Sequence, residues 1–252
     1  MSRNGRKRSL GSRARSQPPG TVVIPVSDLM RYSEFFLDYS YFLAAGGLPR
    51  HSAISMRRSA GVVENLNLSL AEMPEEHEWA WIMGDDHRFG ADLLVSLLEL
   101  ELDIVAPLCI KRSPPFMLGC FKEAGDYFDE RLERTYPGYK PFELEEVPDE
   151  PFPVVASGSA GMLIRKHVLD AIGYPYFEST DGAYLNEDLE FCRKAREHGY
   201  QVMVDPHAYL GHIGNFVIWP HHHEGQLVAR IHHGGEQGQN EVFLGRPIEV
   251  AS

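Results

Sequence analysis

Glu78-Trp79-Ala80-Trp81-Ile82-Met83-Gly84-Asp85-Asp86-His87 is the stretch on which the reading of this chain turns. An apolar run stops abruptly at a glycine, two acids and a histidine. A short run of this kind, rich in aromatic and β-branched residues, reads as a strand covered on both faces. Leu93, Leu94, Leu97 and Leu98 then give the stripe of an amphipathic helix that packs back on it. Asp103-Ile104-Val105-Ala106-Pro107-Leu108 is the next strand. Strand, helix and strand at this spacing make a βαβ unit of a mostly parallel sheet.

The same rhythm extends both ways. Upstream, Thr21-Val22-Val23-Ile24-Pro25-Val26 is a buried strand, and Pro25, which cannot donate to a ladder, marks where it leaves the sheet. Helices are expected from Ser33 to about Ala45, closed by Gly46-Gly47, and from Ala60 to Met73. Downstream come a strand at Pro153–Ala156, a small-residue turn Ser157-Gly158-Ser159-Ala160-Gly161, and a helix from about Arg165 to Ile172. Asn186 opens a helix that Gly199 closes, Gln201–Asp205 is a final strand, and His212 follows it. The fold class expected is α/β, a single domain with a mixed, mostly parallel sheet flanked by helices.

Composition agrees. A chain of 252 residues with 43% hydrophobic and 24% charged residues is long enough to hold a core without staples. Its three cysteines, Cys109, Cys120 and Cys192, argue against a disulfide scaffold and a cysteine-rich zinc module. No apolar run is long enough for a membrane-spanning helix, and the basic start lacks the apolar stretch of a secretory signal. A cytoplasmic location is the expectation. The net charge of −12 is uneven: residues 1–20 carry six basic residues and no acid, which leaves −18 on the remainder. A body that acidic repels nucleic acid and anionic membranes. Residues 1–20 read as a disordered basic arm, 21–215 as the folded domain, and 216–252 as a His- and Gly-rich extension. Within the domain, 110–152 breaks the rhythm with prolines, aromatics and an acidic cluster, and reads as a lid or acceptor-side excursion.

Three groups could carry chemistry. Asp85-Asp86-His87 follows a buried strand, where α/β sheets bind ligands. Adjacent carboxylates there repel, and a divalent cation between them relieves the repulsion. The plainer reading is a polar turn that caps the following helix. Asn186-Glu187-Asp188 opens a helix, where acids complement the dipole; an Asp held there is also ionised and positioned as a general base must be. His212 by itself is a structural histidine, but beside Asp86 it would favour manganese or another transition ion.

Taken in order, these segments resemble the nucleotide-sugar glycosyltransferases of the GT-A fold, closest to the large family 2 group. The likeness covers about residues 21 to 215. It rests on Val22-Val23-Ile24-Pro25, Trp81-Ile82-Met83-Gly84-Asp85-Asp86-His87, Ser157 to Arg165, and Asn186-Glu187-Asp188-Leu189-Glu190-Phe191-Cys192. The resemblance implies a donor site at Pro25, Ser27 and Asp28, with Asp85 near the ribose and a metal, Mn2+ or Mg2+, on Asp85, Asp86 and His212. Gly84 stands where many relatives have a further acid. Asp188 would be the catalytic base beside Glu187. Arg57, Arg58, Asn65 and Asn67 are candidate donor contacts, with Arg58 and Asn65 preferred. The implied activity is metal-dependent transfer of a sugar from a nucleotide-diphosphate donor, of UDP or GDP type, to a hydroxyl acceptor with inversion. The alternatives are a nucleotidyltransferase, which would want a Gly-rich basic loop that Val26-Ser27-Asp28-Leu29-Met30 is not, and a non-catalytic binding protein on a degenerate fold.

Overall fold

The computed structural model describes residues 8–26, 33–58, 61–112, 116–130, 133–179, 186–214, 217–223, 225–232 and 239–242. In chain order the elements are α1 (Leu10–Arg15), β1 (Thr21–Pro25), α2 (Ser33–Ala44), β2 (Ala53–Arg57), α3 (Val62–Ala71), β3 (Trp79–Ile82), β4 (His87–Phe89), α4 (Leu93–Glu99), β5 (Ile104–Cys109), β6 (Cys120–Asp129), β7 (Arg134–Pro141), β8 (Phe152–Val154), β9 (Ala156–Ser157), β10 (Leu163–Arg165), α5 (Lys166–Ile172), α6 (Glu187–Glu197), β11 (Val202–Ile213), β12 (Val217–His223), β13 (Gln226–His232) and β14 (Gln239–Val242).

The Trp-rich stretch is strand β3, at the centre of the sheet. Around it the order is β2-β1-β3-β10-β5-β11, and among these strands only β10 runs against the others. The carboxyl ends of β1, β3 and β5 therefore open on one edge, where ligands bind in sheets of this kind. Alternation along β3 shows both faces covered. Trp79 and Trp81 pack with Phe35, Phe42, Leu94 and Leu97 of α2 and α4, while Ala80 and Ile82 pack with Leu66, Val168 and Phe191 of α3, α5 and α6. All four β3 residues are essentially inaccessible to solvent. Each indole N–H still finds an acceptor, Trp79 at Pro18 O and Trp81 at Gly161 O, both at 2.9 Å; burial without such a bond would be costly.

Strand β11 is longer than the expected Gln201–Asp205 and carries the architecture past the parallel core. It shifts register between Asp205 and Tyr209 and continues to Ile213. That continuation pairs antiparallel with β4 and with β12, which leads on through β13 to β14. The segment read as an extension thus adds three strands to the main sheet.

Two expectations are corrected. Residues 10–15, placed in a disordered arm, form a helix docked on the body. Ala14 is buried, and the Arg13 guanidinium makes a two-pronged pair with Glu99 at 2.6 and 2.9 Å. The expectation weighed low apolar content against folding and could not see an acidic partner 86 residues away. Residues 110–152 are not structureless: β6 and β7 form a hairpin that joins β9 in a second, three-stranded sheet. Pro137 and Pro141 hid the hairpin in the sequence, and its two glycines suit a shift in register between Glu123 and Asp126. A side chain at Gly138 would meet the Gly125 carbonyl at 2.3 Å.

Candidate functional site

The site lies where β4, the end of β5 and the continuation of β11 meet. Because β4 and β11 run antiparallel with His87 directly opposite His212, the two imidazoles stack, centroids 4.4 Å apart. Directly opposed side chains in such a pair are brought to within contact distance. Cys109, the last residue of β5, pairs with Leu210, two residues before His212. The ligand atoms of His87, Cys109 and His212 all lie within 4.8 Å of one another.

Asp86 ties the two rings together. Its Oδ1 is 2.7 Å from His87 Nδ1, and its Oδ2 is 3.4 Å from His212 Nε2 and accepts from Arg112 Nη1 at 2.9 Å. Burial alone would push this carboxyl up, but the hydrogen bonds and charges of His212 and His87 outweigh it and hold Asp86 well below the usual carboxylate range. Burial pushes His87 the opposite way, below the ordinary imidazole value, so it is neutral and able to ligate. A carboxylate behind a histidine is the arrangement that orients metal-binding imidazoles. Two imidazoles, a thiol and a supporting carboxylate fit a divalent transition ion.

Gly84 has a physical explanation in this geometry. A Cβ there would lie 2.7 Å from His87 Nδ1 and 3.0 Å from Asp86 Oδ1. The space that a further acid would need is taken by the Asp86–His87 pair.

A cavity of about 760 Å3 opens from this cluster. His87, Cys109 and His212 line it together with Lys111, Phe121, Tyr139, Ser157, Gly158, Ser159 and Asp188. Asp188 stands in the first turn of α6, which Asn186 precedes in extended conformation. Burial raises its carboxyl to about 6, against side-chain and backbone hydrogen bonds from Ser159 that favour the charged form. Its Oδ1 is out of contact with solvent and has no hydrogen-bond partner among the described residues. Burial also pushes the Cys109 thiol up to about 12.

The sequence-derived candidates divide. Asp188 and His212 line the cavity, and Asp86 contacts His212 from behind. Asp85 is buried next to them in the chain but is not part of the lining, and neither is Glu187. Pro25 is a sheet residue in register with Arg57. Ser27 and Asp28 lie outside the described residues. Arg57 pairs with Glu72 and Arg58 is exposed. Asn67 is fully used within the fold, accepting from Tyr176 N and Phe177 N at 2.9 and 3.0 Å and donating to Phe177 O at 2.7 Å. Asn65 is buried and donates to Val26 O at 3.4 Å, and its Oδ1 has no hydrogen-bond partner among the described residues. Sequence reasoning missed Cys109, Lys111, Arg112 and Tyr139, and quoted His87 without giving it a ligand's part. The position of Cys109 at the carboxyl end of a parallel strand was the one available signal.

No family model matches the chain, and no curated protein matches it by sequence. Among solved structures, A197 from STIV is similar with a TM-score of 0.51 and 14% identity, over 87% of this chain and 98% of A197. The shared property is the fold. Two further similar structures are named as glycosyltransferases. GalNAc-T7, solved with UDP, GalNAc and Mn2+, has a TM-score of 0.47 and 13% identity over 83% of this chain, which spans 45% of that one. The catalytic domain of Drosophila beta1,4galactosyltransferase 7, in complex with xylobiose, has a TM-score of 0.43 and 14% identity over 75% of this chain and 66% of its own. No helix among the described residues is long and apolar enough to cross a membrane.

Proposed function

We propose that this protein is a glycosyltransferase that moves a sugar from a nucleotide-diphosphate donor to a hydroxyl acceptor, with a divalent ion at the His87–His212 cluster. The observation that carries this reading is one cavity holding a carboxyl raised to about 6, Asp188, beside a pair of imidazoles backed by Asp86. The order of motifs, like that of the family 2 group, supports the same activity.

A bound divalent cation would neutralise charge that develops on the diphosphate leaving group. His87 and His212 would hold it, and Asp86 would orient both rings. Lys111, which follows β5 and lines the cavity, would add positive charge where the diphosphate departs. The Asp188 carboxylate then takes the proton of the acceptor hydroxyl as the hydroxyl oxygen attacks the anomeric carbon. The carbon–oxygen bond to the diphosphate breaks on the opposite side, its electron pair leaves with the phosphate, and the sugar inverts. The hairpin residues Phe121 and Tyr139 wall the acceptor side.

The test is thermal stability with UDP, GDP, CMP and dTDP, each with and without manganese. A nucleotide at a hundred times its dissociation constant adds about 2.7 kcal/mol, roughly 5–10 °C for a chain of this size. A shift for one nucleotide that requires the ion and disappears in His212→Ala supports the reading. No shift with any of them, in folded protein, rejects it.

A further inference from the structure

The cluster holds one donor that the transferase reading does not use. Cys109 Sγ shares the cavity wall with the two imidazoles, within 4.8 Å of both ligand nitrogens. Its Sγ makes a weak hydrogen bond to the carbonyl of the next residue, Ile110 O at 3.7 Å. The other two cysteines are different. Cys120 and Cys192 are buried in the hydrophobic core, where a thiol packs as a small apolar group. Cys109 is half-buried at the mouth of a cavity.

We propose that Cys109 Sγ is a direct ligand of the ion held by His87 and His212, so that the site selects a thiophilic, zinc-type ion over magnesium. The inference rests on the metal-dependent reading above and deepens it by naming the ion class. Three strands supply one ligand each: β4 gives His87, β5 gives Cys109 and β11 gives His212. Around a tetrahedral zinc, with bonds of about 2.0–2.3 Å, neighbouring donors sit roughly 3.3–3.7 Å apart. A cluster already gathered within 4.8 Å closes to that geometry by side-chain rotation of about 1 Å. Three protein ligands leave the fourth position open, as catalytic rather than structural zinc sites do. All three residues line the cavity, from which a diphosphate oxygen could enter that position.

The donor chemistry gives the selectivity. Magnesium wants oxygen ligands in an octahedron, whereas a thiolate and two imidazoles suit zinc and cobalt. Asp86, with both oxygens already taken by His87, His212 and Arg112, acts on the rings from behind and not on the ion. As the sulfur–metal bond forms, the thiol proton passes to solvent, because a coordinating thiol is deprotonated by the ion itself.

The experiment is a titration of the metal-free full chain with Co2+ alone, followed by absorption. The expected result is visible cobalt bands of tetrahedral intensity together with a near-ultraviolet thiolate-to-cobalt band, both removed by one equivalent of Zn2+ and unaffected by excess Mg2+. Cys109→Ser should lose the near-ultraviolet band and keep the visible ones, and Cys120→Ser should keep both. Zinc affinity should fall by about 100-fold or more in Cys109→Ser, while manganese affinity moves less than about threefold. Visible bands without the sulfur band, or a sulfur band that survives in Cys109→Ser, overturn the ligand role and leave the ion site standing. No cobalt binding to folded protein overturns the ion site as well. Cadmium NMR of the unsubstituted chain decides the same question without a variant, since a sulfur ligand moves the resonance far downfield and its absence refutes the proposal.

Discussion

Asp188→Asn separates a strained catalytic carboxyl from an ordinary helix-capping acid. The carboxyl titrates at about 6 in the folded protein against a reference of 3.8, chiefly because burial opposes its charge. Folding therefore favours the protonated form. The stabilisation from that preference is complete below about pH 4 and is lost as the pH rises through 6. At about 1.4 kcal/mol for each unit of difference, the native protein carries a cost near 3 kcal/mol at neutral pH. Asparagine cannot ionise, and its amide oxygen can take the place of the carboxyl oxygen that accepts from Ser159. The variant should match the parent at about pH 4 and be more stable at about pH 7.5 by up to roughly 3 kcal/mol. In a chain of this length that is a rise in Tm of about 6–12 °C.

The assay is paired chemical and thermal denaturation at the two pH values, with transfer and nucleotide binding measured on the same samples. Transfer should vanish while donor affinity stays within about threefold, because the base acts on the acceptor proton and not on the donor. The parent's kcat/KM should rise with pH through about 6 and then level off. Equal stability differences at both pH values would refute the burial argument. Equal loss of donor binding and transfer, in a folded variant, would remove Asp188 from the base's role.

Other consequences are direct. His87→Ala and His212→Ala should each abolish the ion-dependent nucleotide shift of about 2.7 kcal/mol seen by thermal melting, and a variant that keeps it does not ligate the ion. Gly84→Ala pushes a methyl to within 2.7 Å of His87 Nδ1, so isothermal titration should show metal affinity falling by about tenfold or more while the fold persists. Phe42→Ala removes a fully buried ring that touches Trp81 and Phe89 at 5.7 and 6.0 Å, and urea denaturation should show a loss of about 3–5 kcal/mol. Arg13→Ala, by contrast, breaks a surface pair and should cost no more than about 1 kcal/mol in the same assay.

The sheet was legible wherever the signal is local. Trp79–Ile82, Ile104–Cys109 and the leucine stripe of α4 announce themselves because both faces of a central strand, or one face of a helix, must be apolar over consecutive residues. Strands that depend on distant partners were not. In β2, Ile54 and Met56 are the exposed members of the alternation, so no buried face shows in the sequence. In β10, three residues take their identity as a strand from β3 on one side and β5 on the other. The helices at Ser33–Ala44 and Glu187–Glu197 were placed within a residue or two by Gly46 and Gly199 after their ends.

The candidate site divides along the same line. Asp86 and His212 could be suspected of meeting from the logic of motif order, but the pair that stacks is His87 with His212, residues 125 apart in sequence. Their apposition follows from register alone. A one-residue slip of β4 against β11 would put Arg88 or Asp86 opposite His212 and send His87 to the other face. That register is held by the Leu210–Phe89 and Gly211–Arg88 pairs and by the backbone bond from Ile213 N to Asp86 O at 2.8 Å. Gly211 belongs to this set because a side chain there would strike the Trp219 ring at 2.8 Å. The same strand shift between Asp205 and Tyr209 sets where Leu210 meets Cys109, and so fixes how far the thiol stands from the imidazoles. Nucleophile, base and ligand types can be read from residues one at a time. The distances that turn them into a site come from one irregularity in β11 and one short strand beside it, and neither has a signature in local hydropathy.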